Sequence, residues 1–294
     1  MKQAVLLLAH GAPERLEDIP EYLTLVRSGR PTPPKVVEEV RQRYAQIGGS
    51  SPMTARTREQ AGALERTLGV PVYFGMRNWH PLIRETVEHL KADGIERIVA
   101  LCLAPQYSRS SVGLYFRRTQ EAKQAAGLEA EIIWTKTFHQ HPLLIQAFQE
   151  RLRPLLPTER VLFTAHSLPE RFLERADPYD SEAQATARLV ASAAGLDRYD
   201  FAYQSQGFTD DQWLGPTVES VLDRYADEGV KDAVLQPIGF VSDHVEVLYD
   251  VDVMFREYGR ERGIAVRRPE SLNASGTFIA ALAEVAREKL CLES

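Results

Sequence analysis

The chain repeats one design in its two halves, and this repetition limits its fold more than any other feature. Residues 9–15 (Ala-His-Gly-Ala-Pro-Glu-Arg) and 165–171 (Ala-His-Ser-Leu-Pro-Glu-Arg) each follow a short apolar run. Two further pairs of similar segments follow in the same order: 79–88 with 213–219, and 93–101 with 228–235. Because the order is kept and only loop lengths differ, we predict two lobes built alike.

Short apolar runs alternate with longer amphipathic stretches, as in parallel α/β proteins with right-handed crossovers. The predicted strands are 4–9, 71–76, 97–104, 130–136, 161–165, 200–205, 233–239 and 264–268. Helical patterns cover 36–47, 55–68, 82–92, 183–193, 217–226 and 277–290. We therefore predict an α/β fold of two Rossmann-like lobes, each with a four-stranded parallel sheet flanked by helices. The lobes comprise residues 1–155 and 156–272, and a C-terminal helix within 273–294 could pack back on the first lobe.

Composition excludes several classes of protein. The chain has 294 residues, 44% of them hydrophobic and 26% charged, which is enough for two cores and too apolar for disorder. A net charge of −6 argues against a nucleic-acid partner, and no run approaches the roughly 20 apolar residues of a membrane span. Cys102 and Cys291 are too few for a disulfide framework or a cysteine-ligated iron–sulfur cluster. We expect a cytoplasmic monomer without stable membrane insertion.

Two histidines occupy equivalent places in the repeat, His10 and His166, each just past the first strand of its lobe. Ligands of open α/β sheets bind at the carboxyl ends of strands, and pockets favour lobe interfaces. If the lobes face each other, both imidazoles line one cleft. A neutral imidazole is a base near pH 7 and a metal ligand. The alternative for His166 is a histidine that bonds a backbone carbonyl and only shapes the turn.

Three carboxylates follow the third strand of the second lobe, on Asp243, Glu246 and Asp250. On a helix starting at Asp243 they fall within an arc of roughly 60°, where they repel each other unless a cation or proton is present. The alternative is a capping box of Asp243 with Glu246. His244 is either a further ligand or an orienting group. Together, His166 and Glu246 form a nitrogen and oxygen set suited to Fe(II) and similar ions. Without an H-E-x-x-H or Cys-x-x-Cys pattern, the metal is expected to be in transit.

Basic and aromatic loops in the first lobe suit a flat ligand with carboxylates. Segments 26–34 and 41–52 contain Arg27, Arg43, Tyr44 and Ser51, and Tyr115 follows the third strand. Arginine binds carboxylates through paired hydrogen bonds. The alternative is a set of exposed arginines on solvated loops.

These segments together resemble the ferrochelatases, which insert ferrous iron into a porphyrin in haem synthesis. The resemblance rests on Ala9-His-Gly-Ala-Pro, Tyr44-Ala-Gln-Ile-Gly-Gly-Ser-Ser-Pro, Ala104-Pro-Gln-Tyr-Ser, Thr164-Ala-His-Ser-Leu-Pro, Gln204-Ser-Gln-Gly, Trp213-Leu-Gly-Pro and Pro237-Ile-Gly-Phe-Val-Ser-Asp-His-Val-Glu-Val-Leu-Tyr-Asp. It implies a chelatase-like fold with Fe(II) as substrate metal. His166 then binds iron or accepts pyrrole protons, Glu246 completes that site, and Asp243 and Asp250 guide the metal.

The segment Val26-Arg-Ser-Gly-Arg resembles the family branch that uses coproporphyrin III. In that branch His10, Arg27, Arg43, Tyr44, Ser51 and Tyr115 match positions that contact the porphyrin or its propionates. Three positions depart from the family pattern: His10 stands where that branch usually has tyrosine, Asn78 replaces a histidine of some relatives, and Met254 stands where relatives often have glutamate. The alternatives are a protoporphyrin IX ferrochelatase, a cobalt or nickel chelatase, and a porphyrin or haem carrier without catalysis.

Overall fold

The computed structural model describes residues 1–171, 176–207 and 211–290. The chain divides into two compact units. Unit 1 contains Met1–Pro105, Arg109–Phe138 and Asn273–Ser294, the last of these described to residue 290. Unit 2 contains Gln106–Ser108 and His139–Leu272. Cys291, one of the two cysteines, lies outside the described residues.

The sheet of unit 1 has four parallel strands in the order β2-β1-β3-β4. The strands are β1 (Gln3–Ala9), β2 (Val72–Met76), β3 (Arg97–Cys102) and β4 (Glu131–Thr135). The helices are α1 (Ile19–Val26), α2 (Pro34–Gln46), α3 (Met53–Leu68), α4 (Ile83–Ala92), α5 (Val112–Ala126) and α11 (Gly276–Arg287). In β1 every residue from Ala4 to Ala9 is buried, as expected for a central parallel strand covered on both faces.

The sheet of unit 2 has the same arrangement, in the order β6-β5-β7-β8. The strands are β5 (Arg160–His166), β6 (Asp200–Gln204), β7 (Asp232–Pro237) and β8 (Ala265–Arg267). The helices are α6 (Pro142–Leu152), α7 (Tyr179–Ala194), α8 (Val218–Asp227), α9 (Val245–Leu248) and α10 (Arg256–Glu261), with a π-helical segment at Asp250–Phe255. The matching strand orders confirm the predicted α/β fold with two four-stranded parallel sheets.

Helix α6 groups with unit 2, although the sequence boundary at 155/156 assigns it to the first lobe. The Nε2 group of Gln236, in β7, donates to the carbonyl of Phe148 in α6 at 2.8 Å, in a buried position. The hydroxyl of Thr186, in α7, donates to the carbonyl of His139 at 3.0 Å. These partners lie far apart in sequence, so local patterns do not reveal them.

Helix α11 returns to unit 1, where it packs on α3. The Nη2 group of Arg287 donates to the carbonyl of Thr67 at 2.9 Å. Among the described residues, every helix is too short or too polar to cross a membrane.

Candidate active site

His166 is the last residue of β5, at the carboxyl edge of the unit 2 sheet. Its backbone is opposite Gln204 of β6, and the hydroxyl of Tyr179 donates to its carbonyl at 2.9 Å. Gly239, shortly after β7, comes so near this strand that an added Cβ would lie 3.0 Å from the Cβ of Ala165. The segment after β7 therefore packs closely against the end of β5, whereas the side chain of His166 is 32% exposed.

The imidazole of His166 is oriented by its own turn. Its Nδ1 group donates to the carbonyl of Ser167, so in the neutral ring Nε2 keeps its lone pair. The Oε1 atom of Glu246 lies 3.5 Å from this Nε2, and its Oε2 atom lies 3.6 Å from Nε2 of His244. His244 likewise donates from Nδ1 to the carbonyl of Ser242 at 2.9 Å. The carbonyl bond expected by the turn-shaping alternative is present, but it leaves Nε2 available for chemistry.

Glu246 is held through its backbone at the start of α9. The Nε2 group of Gln204 donates to the carbonyl of Glu246 at 2.7 Å. The hydroxyl of Thr164, in β5, donates to Oε1 of Gln204 at 2.6 Å. This chain of bonds connects β5, β6 and α9, so the imidazole and the carboxylate are fixed by the same framework.

The charges of the pair outweigh the effect of burial. Burial lowers the pKa of His166, but the charge and hydrogen bond of Glu246, the Ser167 carbonyl and the charge of Asp250 raise that pKa above 6.5. Burial also raises the pKa of Glu246, but His166 and His244 bring it well below 4.5. Without metal, a proton between Nε2 and the carboxylate therefore stabilises the pair near neutral pH.

Asp243 does not belong to the helix that the sequence predicts to start there. Helix α9 begins at Val245, its N-cap is His244, and no side chain caps it, so the capping-box alternative is wrong. The carboxylate of Asp243 accepts a hydrogen bond from Ser271 at 2.7 Å and lies 3.6 Å from Nη1 of Arg268. The helical arc that grouped three carboxylates therefore does not apply to Asp243.

Asp250 begins the π-helical segment and is 4% exposed. It accepts a hydrogen bond from the hydroxyl of Ser205, and its charge contributes to the raised pKa of His166. In the part of the chain that the structure describes, no group of three or more His, Cys, Asp or Glu is arranged to hold a metal ion. The structure places His166 and His244 each beside one carboxylate oxygen of Glu246, and the charge of Asp250 acts on His166.

The residues predicted to contact a porphyrin lie in unit 1: His10, Arg27, Arg43, Tyr44, Ser51 and Tyr115. Tyr44 (α2) and Tyr115 (α5) are buried, and the buried Ser51 accepts a hydrogen bond from the Met53 N–H at 3.3 Å. Arg27 ends α1 on an exposed turn, where no carboxylate of the described residues pairs with it.

Arg77, which the sequence patterns do not single out, contacts the predicted site residue His10. Its Nη2 group lies 3.2 Å from Nδ1 of His10, whose Nε2 lies 3.2 Å from the hydroxyl of Tyr22. Arg77 follows β2 as His10 follows β1, and the two strands pair in parallel with Ala9 opposite Met76. Residues that follow neighbouring parallel strands meet at one edge of a sheet, and this adjacency is the signal that could identify Arg77.

Comparison with known proteins shows one family. A family model described as Ferrochelatase matches residues 2–290. The chain is 47% identical over 312 residues to the ferrochelatase of Acidobacterium capsulatum, covering 98% of this chain and 95% of that protein. It is 35% identical over 304 residues to the coproporphyrin III ferrochelatase of Oceanobacillus iheyensis, covering 98% and 97%. SirB from Bacillus subtilis, solved with Fe3+, shares the fold with a TM-score of 0.64 at 12% identity, covering 98% of this chain and 95% of that one.

Proposed function

The chain belongs to the ferrochelatase family, as its motifs predicted, and from this premise we propose that it inserts Fe(II) into coproporphyrin III during haem biosynthesis. The proposed enzyme is a lyase that forms the bonds between iron and the porphyrin nitrogens, and its product is Fe-coproporphyrin. Iron enters as a substrate. The proposed enzyme is a cytoplasmic monomer without an iron–sulfur cluster, since the two cysteines of the chain are fewer than the four that a cluster held by cysteines alone needs.

The observation that carries the proposal is the convergence of His166 and Glu246. Insertion removes two pyrrole N–H protons and forms bonds from the ring nitrogens to iron. Nε2 of His166, 3.5 Å from Oε1 of Glu246, is the atom that accepts a pyrrole proton. The carboxylate attracts Fe(II) and stabilises the imidazolium that forms, and Asp250 adds to the negative potential along the approach. Asp243 has no role in this proposal because it is engaged by Arg268.

Binding of Fe(II) beside Glu246 also frees the imidazole of His166 to act as a base. Since the charge of Glu246 contributes to the raised pKa of His166, a divalent cation beside that carboxylate lowers the pKa again. The proton held between the two side chains is then released. The free imidazole can take the next proton from the porphyrin, so metal binding and deprotonation are coupled.

The preference for coproporphyrin III is proposed from the exposed cationic turn after α1. Ser28 and Gly29 adopt positive φ values of 55° and 86°, and this turn leaves Arg27 and Arg30 exposed. Coproporphyrin III carries four propionates, whereas protoporphyrin IX carries two. More carboxylates at the rim give these guanidinium groups more partners, and relatives named coproporphyrin III ferrochelatase support the same substrate.

We expect kcat/KM with coproporphyrin III to exceed that with protoporphyrin IX by at least about tenfold under anaerobic Fe(II), which is the effect of about 1.4 kcal/mol of extra binding. Arg27→Gln should reduce this ratio. The exposed Arg58→Gln in α3 is the matched control and should preserve it. Appearance of the metalloporphyrin spectrum over many turnovers separates an enzyme from a carrier. An equal or reversed ratio contradicts the substrate, and no turnover with either porphyrin contradicts the function.

The pair also predicts how stability depends on pH. Because the pKa of His166 is raised in the folded state, its protonation stabilises the fold below about pH 6.5. This contribution is lost as the pH rises through the pKa that His166 has in the folded protein. A lowered pKa of Glu246 stabilises the fold above about 4.5, and this contribution is lost as pH falls through its folded-state value. The unfolding free energy of the metal-free protein should therefore exceed that of Glu246→Gln most near pH 5–6. Urea unfolding across pH measures the difference, and Glu257→Gln, at an exposed ion pair, is the control. A difference that does not change with pH would contradict the pairing.

A further inference from the structure

His10 lies in a contact network that the backbone holds in place. The N–H of Arg77 donates to the carbonyl of Ala9 at 3.0 Å, and the N–H of Asn78 donates to the carbonyl of His10 at 2.9 Å. These bonds extend the parallel pairing of β1 and β2 beyond the strands. Gly11 has a φ of 84°, and an added Cβ there would lie 2.7 Å from the backbone nitrogen of Trp79. The imidazole and the guanidinium therefore meet at a fixed sheet edge.

The two nitrogens of the His10 ring share Asn78 as a neighbour, but only one of them lies near Arg77. The Nη2 group of Arg77 lies 3.2 Å from Nδ1. The hydroxyl of Tyr22 lies 3.2 Å from Nε2, and Nδ2 of the Asn78 side chain lies 3.1 Å from Nε2 and 3.5 Å from Nδ1. The Cζ atom of Arg77 also lies 4.9 Å from the centre of the Tyr115 ring. One guanidinium thus contacts two residues of the proposed porphyrin-binding set.

A guanidinium can only donate hydrogen bonds, because it keeps its charge and has no acceptor. Nδ1 of His10 must then offer its lone pair, and the single proton of the neutral ring lies on Nε2. A tyrosine hydroxyl accepts as well as donates, and the side-chain amide of Asn78 offers either its oxygen or its nitrogen. Among these neighbours, only Arg77 is selective for one tautomer.

We propose that Arg77 is a positioning residue that holds His10 in the Nε2–H tautomer and, by stacking on Tyr115, fixes two porphyrin-contacting side chains together. This inference rests on the proposed function for the role of His10 and Tyr115, but not for the tautomer. His166, at the equivalent place in the repeat, has the opposite arrangement, since its Nδ1 group donates to a carbonyl. The two histidines of the repeat therefore differ as neutral rings: His10 carries its proton on Nε2, whereas His166 carries its proton on Nδ1 and has its lone pair on Nε2.

The tautomer is measured by long-range 1H–15N NMR of the whole protein labelled at its seven histidines. The His10 signals are assigned by their loss in His10→Gln. We expect a pyridine-like Nδ1 and a pyrrole-like Nε2 in the wild type. Arg77→Met should give a mixture of tautomers, and Arg77→Lys, which still donates, should restore the wild-type pattern. The exposed Arg84→Met in α4 is the matched control and should leave the signals unchanged.

The kinetic readout is a split between KM and kcat. In Arg77→Met we expect KM for the porphyrin to rise about tenfold, with kcat changed by less than about threefold, because a charge-assisted hydrogen bond and a stacking contact are lost. A wild-type His10 protonated on Nδ1 overturns the inference even if Arg77→Met fails to fold. An unchanged tautomer in Arg77→Met, or a loss confined to kcat, also overturns it. If the wild type turns over no porphyrin but shows the Nε2–H tautomer, the proposed function fails and the tautomer assignment stands.

Discussion

Replacing His166 with alanine should reduce iron insertion by about 10²–10⁴-fold in kcat, the range that a positioned acid–base group contributes. The substitution removes the nitrogen 3.5 Å from Glu246 and leaves that carboxylate without its main cationic partner. Porphyrin affinity should change little, because the residues proposed to hold the rim lie in unit 1. Initial rates under anaerobic Fe(II) measure the loss, and quenching of intrinsic protein fluorescence measures porphyrin binding.

His89→Ala is the matched control, since this histidine is exposed on α4. Its rate and affinity should equal those of the wild type. Turnover of His166→Ala within tenfold of the wild type would refute the role of His166 as base. Loss of turnover together with loss of porphyrin binding would show a structural role instead.

Replacing Arg268 with methionine should destabilise the protein by about 3 kcal/mol, the lower end of the cost of removing one partner of a buried ion pair, because Asp252 keeps a second partner in Arg256. The side chain is 10% exposed and forms two hydrogen bonds with Asp252, at 3.0 and 2.7 Å. Its Nη1 group also donates to the carbonyl of Pro269 at 2.9 Å and lies 3.6 Å from Asp243. Without Arg268, Asp243 loses this nearby guanidinium, and Asp252 keeps the more exposed guanidinium of Arg256 at 3.0 Å.

Urea unfolding measures this loss. Arg260→Met is the matched control, because its pair with Glu257 is 72% and 53% exposed and such surface pairs contribute about 0–1 kcal/mol. In the double variant Arg268→Met/Asp252→Leu, part of the stability should return, because the carboxylate that paired most closely with Arg268 is also removed, while Asp243 still lacks Arg268. A single variant as stable as the control would contradict the buried network.

The fold could be predicted largely from local patterns. Parallel strands covered on both faces appear as short apolar runs, and β1 and β5 match such runs to within one residue. The repeat then predicted two similar sheets. The grouping of α6 with unit 2 could not be predicted, because it depends on partners such as Gln236 that are distant in sequence and carry no local signature.

Residues of the candidate site could be predicted where they directly follow strands, but not where the prediction assumed the start of a helix. His166 and Glu246 meet as expected from the carboxyl edge of the sheet. Asp243 was grouped with them by assuming an α-helix from that residue, but a hydrogen bond from Ser271, 28 positions away, engages its side chain outside the helix. Arg77 was missed because its chemistry depends on contact with His10, 67 positions away. Sequence periodicity predicts helices and strands, but it does not predict which residues distant in sequence contact the side chains of the candidate site.

The packing of α11 on α3 has a consequence for how the chain is made. Unit 1 is discontinuous, since unit 2 occupies most of the sequence between its β4 strand and its last helix. Phe278, Leu282 and Ala286 of α11 are fully buried, so their absence would leave apolar surface of unit 1 open to water. Synthesis proceeds from the N-terminus. Unit 2 can therefore form its core before α11, the last helix of unit 1, has been translated. Unit 1 is therefore translated first but completes its fold last. Its apolar surface stays exposed on the ribosome for longer than that of unit 2.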